Sequence, residues 1–145
     1  MIVGIAFAAA SMMAAEQTVL HCFTFTPVES AAPADWNAYY KATDALVGKI
    51  DGLKRVWYGK LARPLTLPAL NIPDADARKK LMDAGKGTAE VTINRRVYGT
   101  CMEFSNKAAF DAYGPNAAHK EWDASYSKVR VPGTTTFQLL PTDLE

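Results

Sequence analysis

At 145 residues, 49% apolar and 21% charged, the chain has the length and composition of one globular domain and is too hydrophobic for a disordered one. Sixteen basic against fifteen acidic side chains give a formal net charge of +1. The short basic runs, Arg78-Lys79-Lys80 and Arg95-Arg96, stand beside acidic or apolar residues, so a nucleic-acid partner is excluded.

Residues 1–15 carry no charged side chain and consist mainly of Ala, Ile, Val, Phe and Met. The run is shorter than the about 20 apolar residues of a stable membrane span. It reads as the apolar core of a signal segment, processed near Ala14-Ala15-Glu16, and so predicts a periplasmic or secreted protein. No Lys or Arg precedes it, and Met13 is large for a position just before a cut. The alternative is an apolar arm that stays on a cytoplasmic domain. The domain itself is then residues 16–145.

Within that domain, 18–26 alternates as a strand does, with Val19, His21, Phe23 and Phe25 on one face and Leu20, Cys22 and Thr24 on the other. Apolar residues on both faces predict cover on both sides. Residues 34–50 have helical spacing through Trp36, Tyr39, Tyr40, Thr43, Leu46 and Ile50, with Pro33 suited to the start. Asp51-Gly52 closes that helix, and 53–58 reads as a second strand. Residues 59–71, interrupted by prolines and without a steady period, read as an excursion. A short helix over 74–83 is predicted, with Asp74 as N-cap and Gly85 past its end. A strand fragment at 91–93 leads to a third strand at 98–104.

Ser105 or Asn106 caps a helix over 107–113, which breaks at Gly114-Pro115 and resumes through His119 to 128. Trp122 and Tyr126 lie three and seven residues beyond His119, on its face. A fourth strand spans 134–140. The two cysteines, Cys22 and Cys101, fall in separate strands without Cys-x-x-Cys spacing, so no metal site is predicted. A direct cross-strand bridge is geometrically demanding, and buried free thiols are the expectation.

The order strand–helix–strand–insert–strand–helix–strand predicts an α+β fold of the ferredoxin-like, split βαβ type: a four-stranded antiparallel sheet with helices on one face. Leu20, Cys22, Thr24 and Cys101 then stand on a bare sheet face. Such a face predicts a homodimer, packed sheet against sheet into a dimeric α/β barrel.

Three segments together resemble the stress-responsive dimeric α/β-barrel (Dabb) family: Val19–Phe25, the run Gly52-Leu53-Lys54-Arg55-Val56-Trp57-Tyr58-Gly59-Lys60, and the series Phe104, Lys107–Tyr113 and Ala118-His119-Lys120-Glu121-Trp122. The likeness covers roughly 18–60 and 98–140. It departs from the family pattern at Asn116, where members often have histidine, and at Ala117, where they have proline. The insertion at about 61–97 is longer than in compact members, and the resemblance places it as a lid or reshaping element at the pocket mouth.

The resemblance implies a small apolar pocket between sheet and helices. In the family's polyketide cyclases, which close rings by an aldol-type reaction without cofactor, the catalytic His and Tyr match His119 and Tyr113, and a pocket histidine matches His21. Phe23, on the His21 face, with Tyr40 and Trp122, are the ligand-contacting candidates for an apolar or aromatic molecule. Histidine exchanges protons near neutral pH, so His119 reads as a base and Tyr113 as a hydrogen-bond donor to the developing oxyanion. Two other readings stand beside this one. One is a non-catalytic ligand-binding or stress-protective dimer. The other is a haem-handling monooxygenase-like barrel with His119 as axial ligand.

Overall fold

The computed structural model describes residues 17–72 and 74–141; the signal segment read at 1–15 lies outside them. Eight elements follow in chain order: β1 (Val19–Phe25), α1 (Pro33–Lys49), β2 (Leu53–Leu70), α2 (Ala75–Ala84), β3 (Val91–Phe104), α3 (Lys107–Tyr113), α4 (Ala117–Val129) and β4 (Thr135–Leu139). The strands form one antiparallel sheet in the order β2-β3-β1-β4. This is the ferredoxin-like α+β architecture.

Local chemistry explains the boundaries. Pro33 opens α1, where a missing N–H costs nothing, and the Asp35 carboxylate accepts from the Ala32 N–H at 3.3 Å. Asn106 and Asn116 cap α3 and α4, accepting from the N–H groups of Ala109 and Ala118, each at 2.8 Å. The capping role at α4 therefore falls to Asn116 and leaves His119 free for other work. Gly52, at φ 80°, turns the chain from α1 into β2 in a space where a Cβ would collide with Ala109.

The core lies between the sheet and α1, α3 and α4. Val19, Phe23 and Phe25 of β1 meet Met102 and Phe104 of β3, under Tyr39, Leu46, Tyr113, Trp122, Tyr126 and Val129. Two of its polar contacts are made within the layer: Tyr39 and Thr100 hydroxyls bond at 2.5 Å, and Trp122 Nε1 donates to Thr43 Oγ1 at 2.9 Å.

Three expectations change. First, Cys22 and Cys101 are not free thiols. The β1–β3 register sets them directly opposite each other, Cα–Cα 4.1 Å, and they form a disulfide. Second, residues 59–71 are not a loose excursion, and 91–93 is not a fragment. β2 runs unbroken to Leu70 and β3 begins at Val91, pairing Leu65–Leu70 with Val91–Arg96 after an irregularity between Lys60 and Leu65. Because β2 is an edge strand, Pro64 and Pro68 can sit in it without breaking a ladder on its outer side. Third, the insertion is a two-stranded arm carrying α2, and none of its described residues lines the cavity described next.

Candidate active site

One side of β1 brings His21 and Phe23 beneath the helices. The break at Gly114-Pro115 turns the chain so that the end of α3 and the start of α4 face the same spot. Tyr113 and His119 thereby come into ring contact, with centroids 4.3 Å apart. His21 stands 5.7 Å from Tyr113 and 5.3 Å from Phe110. A cavity of about 150 Å³ lies among His21, Phe23, Tyr113, His119, Trp122, Asp123, Tyr126, Thr134 and Thr136.

Five of the six residues singled out from the sequence (His21, Phe23, Tyr113, His119, Trp122) therefore line one cavity. Tyr40 does not. Half-buried against the edge of the core, it stacks on Tyr58 of β2 at 5.1 Å and meets Trp36 at 5.8 Å. Sequence reasoning passed over Asp123, Thr134 and Thr136 as lining residues, and Gln138, which holds His21. A signal for them existed: Asp123 is four residues after His119, and Thr134, Thr136 and Gln138 alternate along or beside β4 on the His21 side.

Hydrogen bonds assign the imidazole protons. His119 Nδ1 lies 3.1 Å from the Gly114 carbonyl, which can only accept, so Nδ1 carries the proton. Nε2 of His119 has no hydrogen-bond partner among the described residues, and in the neutral ring it is the nitrogen that carries the lone pair. His21 is the opposite tautomer. Its Nδ1 accepts from Gln138 Nε2 at 3.0 Å, which puts the proton on its Nε2.

Burial lowers the His21 pKa below its ordinary 6.5, and the neighbouring His119 lowers it further. Burial drives the Tyr113 phenol well above its ordinary 10.0, with Asp123 adding to the rise, so Tyr113 remains a protonated donor. Its hydroxyl has no hydrogen-bond partner among the described residues. Trp122 stacks on His119 at 5.5 Å and Tyr126 on Trp122 at 4.7 Å, forming an aromatic wall. Asp123 is held 3.7 Å from the Arg130 guanidinium. The arrangement joins a bare imidazole nitrogen, a protonated phenol and a second N–H donor around one apolar-walled space. That set can remove a proton from carbon and stabilise the oxyanion formed.

A larger groove, about 270 Å³, lies on the opposite, open face of the sheet among Cys22, Trp57, Leu61, Cys101 and Phe137. Its lining also holds Tyr58 and Lys60, and no histidine. Among the described residues no cluster of three His, Cys, Asp or Glu side chains could hold a metal ion, and no helix is long and apolar enough to cross a membrane.

No protein-family model matches the sequence, and no curated protein does. Solved structures do. A Dabb family protein with a ferredoxin-like fold from Mesorhizobium loti superposes with a TM-score of 0.54 at 12% identity, over 88% of this chain and 99% of that one. The chain has the fold of that protein. A hydroxynitrile lyase from Passiflora edulis superposes as well (TM-score 0.58, 9% identity, 89% of this chain and 97% of that one). So does a dimeric ferredoxin-like protein of unknown function from Thermobifida fusca (TM-score 0.55, 13% identity, 87% and 92%). At these identities the likeness carries the fold, and the side chains must carry the chemistry.

Proposed function

We propose that the protein is a homodimeric Dabb-fold catalyst of cofactor-free acid–base chemistry on a small apolar or aromatic carbonyl compound. The observation that carries this reading is the His119 tautomer: Nδ1 is spent on the Gly114 carbonyl, and the ring keeps an unpartnered Nε2 while in contact with the ring of Tyr113, whose hydroxyl has no hydrogen-bond partner among the described residues. His119 Nε2 takes a proton from the carbon next to the carbonyl. Tyr113 donates its O–H to the enolate oxygen, and the Nε2–H of His21 is a second donor. For an aldol-type closure the enolate carbon attacks a second carbonyl of the same molecule, and the resulting alkoxide recovers the proton from the His119 imidazolium. That another protein of this fold is a hydroxynitrile lyase supports the fold as a host for lyase chemistry.

The test needs no knowledge of the natural substrate. Phenylacetone, small and aromatic, is incubated with the protein in D2O, and loss of its acidic C–H signal is followed by NMR. The expected result is accelerated exchange that falls about 100-fold in His119→Ala and about 10-fold or more in Tyr113→Phe. Exchange no faster than buffer, or unchanged in His119→Ala, would refute the reading. An aromatic wall around a cavity also suits simple ligand binding without turnover, and saturable binding with no exchange would favour that alternative. The haem-handling alternative predicts a Soret shift on titration with haem that is lost in His119→Ala; a flat titration removes it.

The second copy covers the open sheet face, where Trp57 and Phe137 are 47% and 42% exposed in the single chain. Proteins of this fold described as dimeric support that pairing. Export through the 1–15 segment is supported by the Cys22–Cys101 disulfide, a bond of oxidising compartments. Cell fractionation of the full chain tests it: full-length protein confined to the cytosol would contradict export.

A further inference from the structure

The walls of the cavity differ in chemistry. On α4 the rings of His119, Trp122 and Tyr126 stack in turn, with centroids 5.5 Å and 4.7 Å apart. The β4 side is polar. Pairing with β1 sets Thr136 beside Phe23 and Gln138 beside His21. Strand alternation gives both to the helix side, while Phe137 lines the open-face groove. Two of these polar groups are engaged within the chain: Gln138 holds His21 at 3.0 Å, and the Thr134 hydroxyl bonds that of Tyr126 at 3.2 Å.

Asp123 is different. It is the one carboxylate among the described residues of the lining, one turn of α4 beyond His119 and on the same face. Its Oδ1 stands 3.7 Å from the Arg130 guanidinium, beyond hydrogen-bond reach. Arg130 is itself seated over the Tyr126 ring, 4.7 Å from the centroid. The guanidinium therefore balances the carboxylate's charge without occupying its lone pairs. Burial first, and Asp123 after it, raise the Tyr113 pKa, so the carboxylate acts on the phenol of the acid–base set. The Asp123 side chain is 47% exposed, so an entering molecule can reach it.

We propose that Asp123 is the subsite for a hydroxyl group, and that the substrate is a hydroxylated carbonyl compound whose O–H donates to this carboxylate while its acidic C–H meets His119. This rests on the acid–base reading above and narrows its substrate class. A charged acceptor makes a hydrogen bond roughly twice as strong as a neutral one. Arg130 already supplies the countercharge, so the carboxylate calls for a neutral donor and not for a second cation.

Carbon-bound hydrogen exchange in D2O tests it with three probes: 4-hydroxyphenylacetone, 4-methoxyphenylacetone and 4-(dimethylaminomethyl)phenylacetone, which is cationic at neutral pH. Each kcat/KM is divided by the rate in buffer alone, which removes differences in intrinsic acidity. The hydroxyl probe is expected to exceed the methoxy probe at least about tenfold, with the cationic probe no better than methoxy. In Asp123→Leu that ratio should fall to near one. Asp123→Asn keeps the side-chain shape and one acceptor oxygen, and should retain part of the preference. Exchange that requires His119 but treats hydroxyl and methoxy probes alike overturns the subsite and leaves the catalyst standing. So does a preference that survives in Asp123→Leu, or a cationic probe that outruns the hydroxyl one. No exchange above buffer with any probe overturns the acid–base reading and the subsite together.

Discussion

His21 and His119 divide the work of the cavity by what holds each ring. A carbonyl fixes His119 with its proton on Nδ1, and an amide fixes His21 with its proton on Nε2. The lowered His21 pKa has a consequence for stability. Between the folded pKa and 6.5 the unfolded chain binds a proton that the folded chain refuses. Stability is thus complete above about 6.5 and is lost as pH falls from there through the folded value. Urea unfolding at pH 7.5 and 5.0 should show a loss at the lower pH that shrinks in His21→Gln. An identical loss in the variant would place its origin elsewhere. Because His119 is the second cause of the shift, His119→Ala should move the His21 NMR titration midpoint upward. At this scale the sequence was readable through types and spacing: His21, Phe23, Tyr113, His119 and Trp122 do meet at one cavity. Tyr40 does not reach the cavity because helix geometry turns it about 100° from Tyr39. Tyr39 fills the core, and Tyr40 packs at its edge on Tyr58 of β2. Asp123 was missed because a charged residue one turn past His119 looks like ordinary helix surface until β4 closes over it.

Among the elements, helices were the easiest to read. Caps at Asp74, Asn106 and Asn116, Pro33 at the start of α1, and the Gly114-Pro115 break all act locally, and local chemistry is visible in a single chain. Strand pairing is not local. Nothing in the runs around Cys22 and Cys101 reveals that the register puts them face to face, so the disulfide came from the sheet and not from spacing. For the same reason Pro64 and Pro68 read as a break, although the edge position of β2 tolerates them. The disulfide closes a loop of 79 residues' separation across the two central strands. Reduction, or the double variant Cys22→Ser, Cys101→Ser, should lower unfolding free energy by about 2–4 kcal/mol in urea titrations. Peptide mapping with alkylation should find both thiols blocked before reduction; two freely alkylated cysteines would contradict the bridge.

In the molecule as a whole, the two faces of the sheet differ. The helix face carries aromatic packing around the cavity, whereas the open face keeps Trp57 and Phe137 in solvent. Fold class was legible because the order of elements admits few topologies. The arm's geometry was not, since the pairing of Leu65–Leu70 with Val91–Arg96 is set by register and not by local periodicity. The central claim, that His119 presents a bare nitrogen to a space shared with Tyr113 and His21, is open to direct inspection by long-range 1H–15N NMR at pH 8, where unperturbed imidazoles are neutral. The expected result is His119 protonated on Nδ1 with a lone pair on Nε2, and His21 protonated on Nε2. A His119 proton on Nε2 instead would leave the proposed chemistry without its base.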